Sequence, residues 1–162
     1  MATFGRRDGS YAVLEASIPE LDGWDYEVTS EPTPEYNCIA YAAGVEDQFW
    51  WPLDDESAYW PVGAPLECTV EAFVQAYASI GYTPCDDDSF DPTYDKIALY
   101  IDGRGKPAHA AIQVDGLYWR SKCGSLHDIK HPLGALDGPT YGRVALFLRR
   151  PRSSPPGPPG GT

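Results

Sequence analysis

Tyr36-Asn37-Cys38-Ile39-Ala40-Tyr41-Ala42-Ala43-Gly44 reads as one short buried helix with a cysteine in its first turn. Asn37 is a good N-cap, because its side-chain oxygen can accept from the free amides of the opening turn. Gly44 is a good stop, since glycine takes the left-handed conformation without a steric cost. Almost every residue between them is small or apolar, which puts the helix inside the protein. Aligned backbone dipoles at a helix start favour a thiolate at Cys38. His109, in Pro107-Ala108-His109-Ala110-Ala111-Ile112, can supply a base. The remaining chain then serves as a scaffold that brings the two within about 4 Å, near the reach required of a nucleophile and its base.

Working outward from this helix, Trp24, Tyr26 and Val28 alternate as a short strand would, and Glu31-Pro32-Thr33-Pro34 turns the chain into the cysteine helix. Before them, Met1 to about Pro19 has weak periodicity and is expected to be partly mobile. After the helix come Gln48-Phe49-Trp50-Trp51-Pro52 and Ala58-Tyr59-Trp60-Pro61, an aromatic-rich loop without a clear period. It is either pinned to the core by its tryptophans or forms a cleft wall beside Cys38, with Asp54, Asp55 and Glu56 as its solvated tip. Val70, Phe73, Val74 and Tyr77 carry the spacing of an amphipathic helix over 69–79, capped by Thr69 and stopped by Gly81.

From Lys96 the period becomes that of strands. Ile97 to Ile101 is one, His109 to Val114 a second, and Leu117 to Lys122 a third, joined to the second by the hairpin signal Asp115-Gly116. An irregular stretch holding Gly124, His127, Asp128, His131 and Pro132 precedes a last strand, Arg143 to Arg149. Helices first and antiparallel strands after make an α+β domain over 1–150. Residues 151–162 are rich in serine, proline and glycine, and read as a disordered tail.

Composition narrows the function. The chain has 162 residues, 43% of them hydrophobic, and a net charge of −12, which disfavours nucleic acid and anionic membranes as partners. No run approaches a bilayer span, and no secretory signal opens the sequence, so a cytoplasmic location is expected. Four cysteines, Cys38, Cys68, Cys85 and Cys123, lack zinc-ligand spacing. Asp86-Asp87-Asp88-Ser89-Phe90-Asp91 departs from the EF-hand loop at Phe90. His127 and His131 are spaced i, i+4, but Pro132 argues against a helix there. Neither a metal nor a cofactor is expected.

A cysteine at a helix start, followed by a histidine opening a strand in a later antiparallel sheet, resembles the papain-like fold. The nearest version is the NlpC/P60 and CHAP group of cysteine amidases and peptidases. The resemblance implies a thiolate that attacks an amide carbonyl, a histidine that passes the proton to the leaving amine, and a polar residue that orients the imidazole. Carried over without gaps, the third position falls on Ser121. A two-residue turn at Asp115-Gly116 pairs His109 with Lys122 and Ala110 with Ser121, which puts Ser121 on the face opposite His109 unless a bulge intervenes. Gln113, Asp128 and His127 are alternatives. The substrate-binding candidates are Asn37, Trp51, Trp60 and Gln113. The sequence from about Trp24 to Arg150 also resembles a bacterial domain family of unknown function, DUF7689. That likeness rests on Tyr36-Asn37-Cys38-Ile39-Ala40, Trp51-Pro52, Tyr59-Trp60-Pro61, Lys96 to Tyr100, His109-Ala110-Ala111, Trp119 to Lys122 and Tyr141-Gly142. It implies no reaction. Two functions follow: a cysteine hydrolase acting on a peptide or other amide, or a non-catalytic binding or immunity-type protein whose acidic surface holds a basic protein partner.

Overall fold

Lys96 to Tyr100 form a run in which every residue is buried, the pattern of a strand covered on both faces. In the computed structural model, which describes residues 12–54 and 56–152, this run lies within β3 (Tyr94–Ile101) near the middle of the sheet. The other strands are β1 (Glu27–Val28), β2 (Thr83–Cys85), β4 (Pro107–Gln113), β5 (Tyr118–Lys122), β6 (Asp128–Pro132) and β7 (Arg143–Pro151). They form one seven-stranded sheet in the order β1-β6-β5-β4-β3-β7-β2, antiparallel at every step.

Strand alternation divides the core in two. Ile97, Leu99, Ala110 and Leu148 face a cluster built with α2 (Cys38–Ala42), α3 (Val70–Ala78) and the aromatic loop. Ala98, Tyr100, Ala111, Trp119 and Ile129 face the other way, onto Leu14 of α1 (Ala12–Ser17), Ile18 and Leu21. Each fully buried leucine or isoleucine contributes about 1.5–3 kcal/mol by leaving water. Residues 12–19 are therefore more structured than their periodicity suggests. Single apolar residues in a six-residue helix and the short 3-10 turn Pro19–Leu21 plug one sheet face without generating a period.

Three further expectations change. The stretch after Gly124 contains β6, an inner strand between β1 and β5, although prolines and glycines surround it. Thr83–Cys85 adds a short edge strand on β7. The hairpin after β4 closes through Asp115-Gly116-Leu117 instead of two residues. The Asp115 carboxylate accepts from the Leu117 and Tyr118 amides, each at 2.8 Å, and Val114 N–H donates to Tyr118 O at 2.9 Å. That extra residue moves the register by one, so Trp119 opposes Gln113 and Arg120 opposes Ile112. Trp119 is buried on the Tyr100 and Ala111 side, whereas a two-residue turn would have set it on the face of Ala110 and Ile112.

The expectations for the chain before α1, for Asp55 and for most of the tail concern residues 1–11, 55 and 153–162, which lie outside the described residues. β7 itself continues to Pro151, opposite Tyr94, and the Arg152 guanidinium binds the Asp95 carboxylate at 2.9 Å.

Candidate functional site

A five-residue helix is too short to persist alone, so neighbours must hold α2. Asn37 caps it as expected: its backbone is extended and its Oδ1 accepts from Ala40 N–H at 3.1 Å. The same amide group fastens the aromatic loop, with Oδ1 accepting from Trp50 N–H at 3.0 Å and Nδ2 donating to Trp50 O at 2.7 Å. The far side is tied by Tyr77, whose hydroxyl donates to Ile39 O at 2.8 Å. Gly44 ends the helix region with φ +85°.

Cys38 therefore sits at a fixed place, on the floor of an open pocket of about 540 Å³. Its walls are Pro34, Tyr36, Phe49, Trp51 and Tyr141, with Asn37, Ala108, Gly124 and Ser125 completing it. Burial dominates the thiol's chemistry and pushes it up to about 11. The backbone N–H groups of Ala110, Ile39 and Cys38, together with the Lys122 ammonium, act in the opposite direction without overcoming it. At neutral pH the sulfur carries its proton.

His109 pairs with Tyr100 across β3 and β4, so it points to the Tyr100 and Ala111 face, whereas Ala110 and Cys38 belong to the cluster on the other face. Its ring is stacked on Tyr141 at 4.0 Å and meets Tyr100 edge-on at 5.2 Å. Both ring nitrogens are buried without a hydrogen-bond partner. The expected hydrogen bond between Cys38 and His109 is thus absent, and burial holds the imidazole neutral, well below its ordinary value. Tyr141 is the one side chain that both stacks on His109 and lines the pocket over Cys38.

Ser121 does not orient His109 in this structure. Its hydroxyl is 2.7 Å from His131 Nε2, and His131 Nδ1 lies 2.7 Å from Pro132 O. With both nitrogens engaged, His131 is a poor metal ligand, and among the described residues no three His, Cys, Asp or Glu side chains gather as a metal site. Gln113 is remote from the pocket lining and donates to Asp88 O at 2.7 Å. Trp60 is also a pin, with its indole N–H on Pro65 O at 2.8 Å and its ring 4.9 Å from Phe73. Of the four substrate-binding candidates, Asn37 and Trp51 line the pocket.

The acidic loop already holds a cation. Lys96, almost wholly buried, donates from Nζ to Asp87 O at 2.9 Å and Ser89 O at 2.5 Å, so an ammonium fills the place that a calcium reading would give to a metal.

Sequence reasoning missed a second group beside the pocket. Lys122 is fully buried. Its Nζ donates to Leu126 O and lies 5.1 Å over the Tyr36 ring. The Tyr36 hydroxyl donates to Asp128 Oδ2 at 2.7 Å. Burial lowers the Lys122 ammonium and raises the Asp128 carboxyl from their ordinary values. Continuing the observed β4–β5 register puts Lys122 opposite Ala110, on the face of Cys38. The Asp115 turn chemistry was the signal that could have located it.

The sequence profile of a family described as "Domain of unknown function (DUF7689)" matches residues 27–149. No curated protein and no solved structure matches the chain.

Proposed function

The chain belongs to the DUF7689 family, whose description assigns no reaction, and from that premise we propose that it is a binding domain whose site is the aromatic pocket over Cys38. One observation carries this reading: His109 is neutral, unbonded and sandwiched between Tyr100 and Tyr141. An imidazole so placed takes no proton from Cys38, and a thiol pushed up to about 11 is a weak nucleophile at neutral pH. What the pocket offers instead is an apolar, aromatic-walled recess of the kind that seats one side chain of a ligand. The acidic surface fits a basic protein partner.

A second reading, the papain-like cysteine hydrolase, is favoured by the backbone groups of Ala110, Ile39 and Cys38, which act to lower the thiol against its burial. Amides in that position also suit the oxyanion of an acyl-transfer intermediate. It requires the imidazole to leave its place between Tyr100 and Tyr141 and to come round to the sheet face that holds Cys38. The two readings separate on alkylation of Cys38 by iodoacetamide between pH 5 and 9, followed residue by residue by mass spectrometry. A binding domain keeps Cys38 unreacted below about pH 8, the region where an unperturbed thiol begins to ionise, and His109→Ala leaves the profile in place. Reaction well below pH 8 that His109→Ala moves upward establishes the hydrolase reading.

A further inference from the structure

The pocket over Cys38 is one of three hollows that share walls. Pro34 and Phe49 line both it and a second hollow of about 450 Å³. Glu56, Ala58 and Tyr59 line both that second hollow and a third of about 620 Å³. The shared walls set the three side by side along the aromatic loop, and they are treated together as one trough.

Its chemistry changes along its length. The Cys38 end is apolar and aromatic. The middle carries the exposed carboxylates of Glu35, Asp47 and Glu56. The far end exposes Leu53, Val62 and Leu66, with Val62 entirely in solvent at 102% and Leu66 at 53%. Leucine and valine side chains clustered on an exposed wall mark a surface that expects cover.

The charge around the trough is one-sided. From Asp8 to Asp95 the sequence has no lysine, arginine or histidine, and 20 of its 24 acidic residues fall there. Every wall of the trough except Ala108, Gly124, Ser125 and Tyr141 comes from this part of the chain. Among the described residues the ion pairs are Lys96–Asp87, Arg150–Asp95 and Arg152–Asp95, and none of them reaches Glu35, Asp47 or Glu56. The carboxylates in the middle of the trough are therefore free to meet a cation brought by a partner.

We propose that this trough binds an extended segment of a partner polypeptide in which lysine or arginine is flanked on both sides by apolar side chains. One apolar residue enters the recess over Cys38, the cation lies against Glu35, Asp47 and Glu56, and the second apolar group covers Val62 and Leu66. Extended segments bind in this way when main chain and alternate side chains are both accommodated. Complementary charge sets the rate of encounter and the choice of partner, while burial of the apolar ends supplies the area. The proposal rests on the binding reading for its pocket, but it also holds if Cys38 proves to be a nucleophile, in which case the segment is the substrate.

The test is fluorescence anisotropy with a labelled peptide of sequence Ac-Leu-Ser-Arg-Lys-Ser-Leu-NH2, alongside one with both cations replaced by glutamate and one with both leucines replaced by serine. The parent peptide is expected to bind, at least about tenfold more tightly than either altered peptide, a difference of 1.4 kcal/mol. Raising salt weakens it, as screening requires. Glu35→Gln/Asp47→Asn/Glu56→Gln is expected to weaken binding about tenfold or more and to remove most of the salt dependence. Val62→Ser/Leu66→Ser weakens it without changing the salt dependence. All of these positions are exposed, so the fold is retained. Glu71→Gln with Asp22→Asn, acids outside the trough, serves as the control for general charge. The proposal is overturned if the parent peptide does not bind, if the glutamate peptide binds equally well, or if the control pair weakens binding as much as the trough set.

Discussion

His109 is the residue whose surroundings most constrain what the site can do. Burial keeps it well below its ordinary value of 6.5, and His131 is brought down to about 4. Both stay neutral in the folded state, whereas the unfolded chain takes up protons as pH falls through about 6.5, the ordinary histidine value. The stability that they permit is complete above that pH and is lost as pH falls from there towards about 4. Asp128 works in the opposite sense, because burial raises its carboxyl above 3.8 and protonation relieves it. Loss of repulsion among surface acids also favours the fold in acid. The histidine contribution is therefore read as a difference: between pH 7 and 5 the melting temperature of the wild type should fall more steeply than that of His109→Phe. Equal slopes would mean that His109 is solvated in the folded protein. Cys38 was legible from its neighbours, because the Asn37 cap and the Gly44 stop are local signals. The Lys122, Tyr36 and Asp128 group was not. It depends on a strand register and on a contact 92 positions apart between Tyr36 and Asp128, which no window of sequence displays.

At the scale of elements, the turns decide which side chains meet. Gly142 has φ +86°, and a Cβ there would lie 1.7 Å from Ile101 O, a backbone atom that cannot step aside. Gly142 also exchanges two hydrogen bonds with Gly138, at 2.7 and 2.8 Å, which fixes the preceding Tyr141 against His109. Gly142→Ala should cost at least about 2 kcal/mol, since strained backbone alone accounts for 1–3. It should also expose the imidazole, seen as faster diethylpyrocarbonate modification of His109. An unchanged melting temperature would sink this account of the turn. The neighbouring hairpin teaches the same lesson from the sequence side. Asp115-Gly116 announced a turn correctly, but the Asp115 carboxylate recruits Leu117 into it, and one added residue exchanges the faces of Trp119 and Arg120. Trp119 remains an anchor, 5.9 Å from Phe147 and 2% exposed. Trp119→Ala should cost about 3–5 kcal/mol, the usual range for large aromatic truncations. Chemical denaturation measures it, and a loss under about 1 kcal/mol, the size typical of surface changes, would contradict its burial. Strands with strong β-branched or aromatic runs were readable, whereas β2 and β6 owe their conformation to the partners they pair with.

For the whole molecule the governing feature is the separation of charge along the chain. Residues 8–95 carry 20 acidic and no basic side chains, while residues 96–162 carry 10 basic and 4 acidic ones. Two electrostatic effects then compete in the folded state. Attraction between the halves operates through close pairs, Arg150 and Arg152 on Asp95 and Lys96 on Asp87. Partly exposed pairs of this kind contribute about 0–1 kcal/mol each. Repulsion acts among the many exposed acids of the first part, spread over β1, the turns on either side of α2, the aromatic loop, α3 and the loop before β3. It involves far more groups than the attraction does, and the net charge of −12 shows which sign is in excess. Folding brings these carboxylates closer together than they are in the open chain, so repulsion destabilises the compact state. Salt screens such exposed charges strongly once the Debye length falls to about 10 Å near 0.1 M. The melting temperature should accordingly rise by a few degrees between 20 and 500 mM sodium chloride at pH 7.5, equivalent to roughly 1 kcal/mol at this chain length. Neutralising Glu35, Asp47 and Glu56 to their amides should reduce that rise, because these three have no cationic partner among the described residues. A melting temperature that falls with salt would show that the Asp95 and Asp87 pairs dominate, and that the two parts of the chain are held together chiefly by their opposite charge.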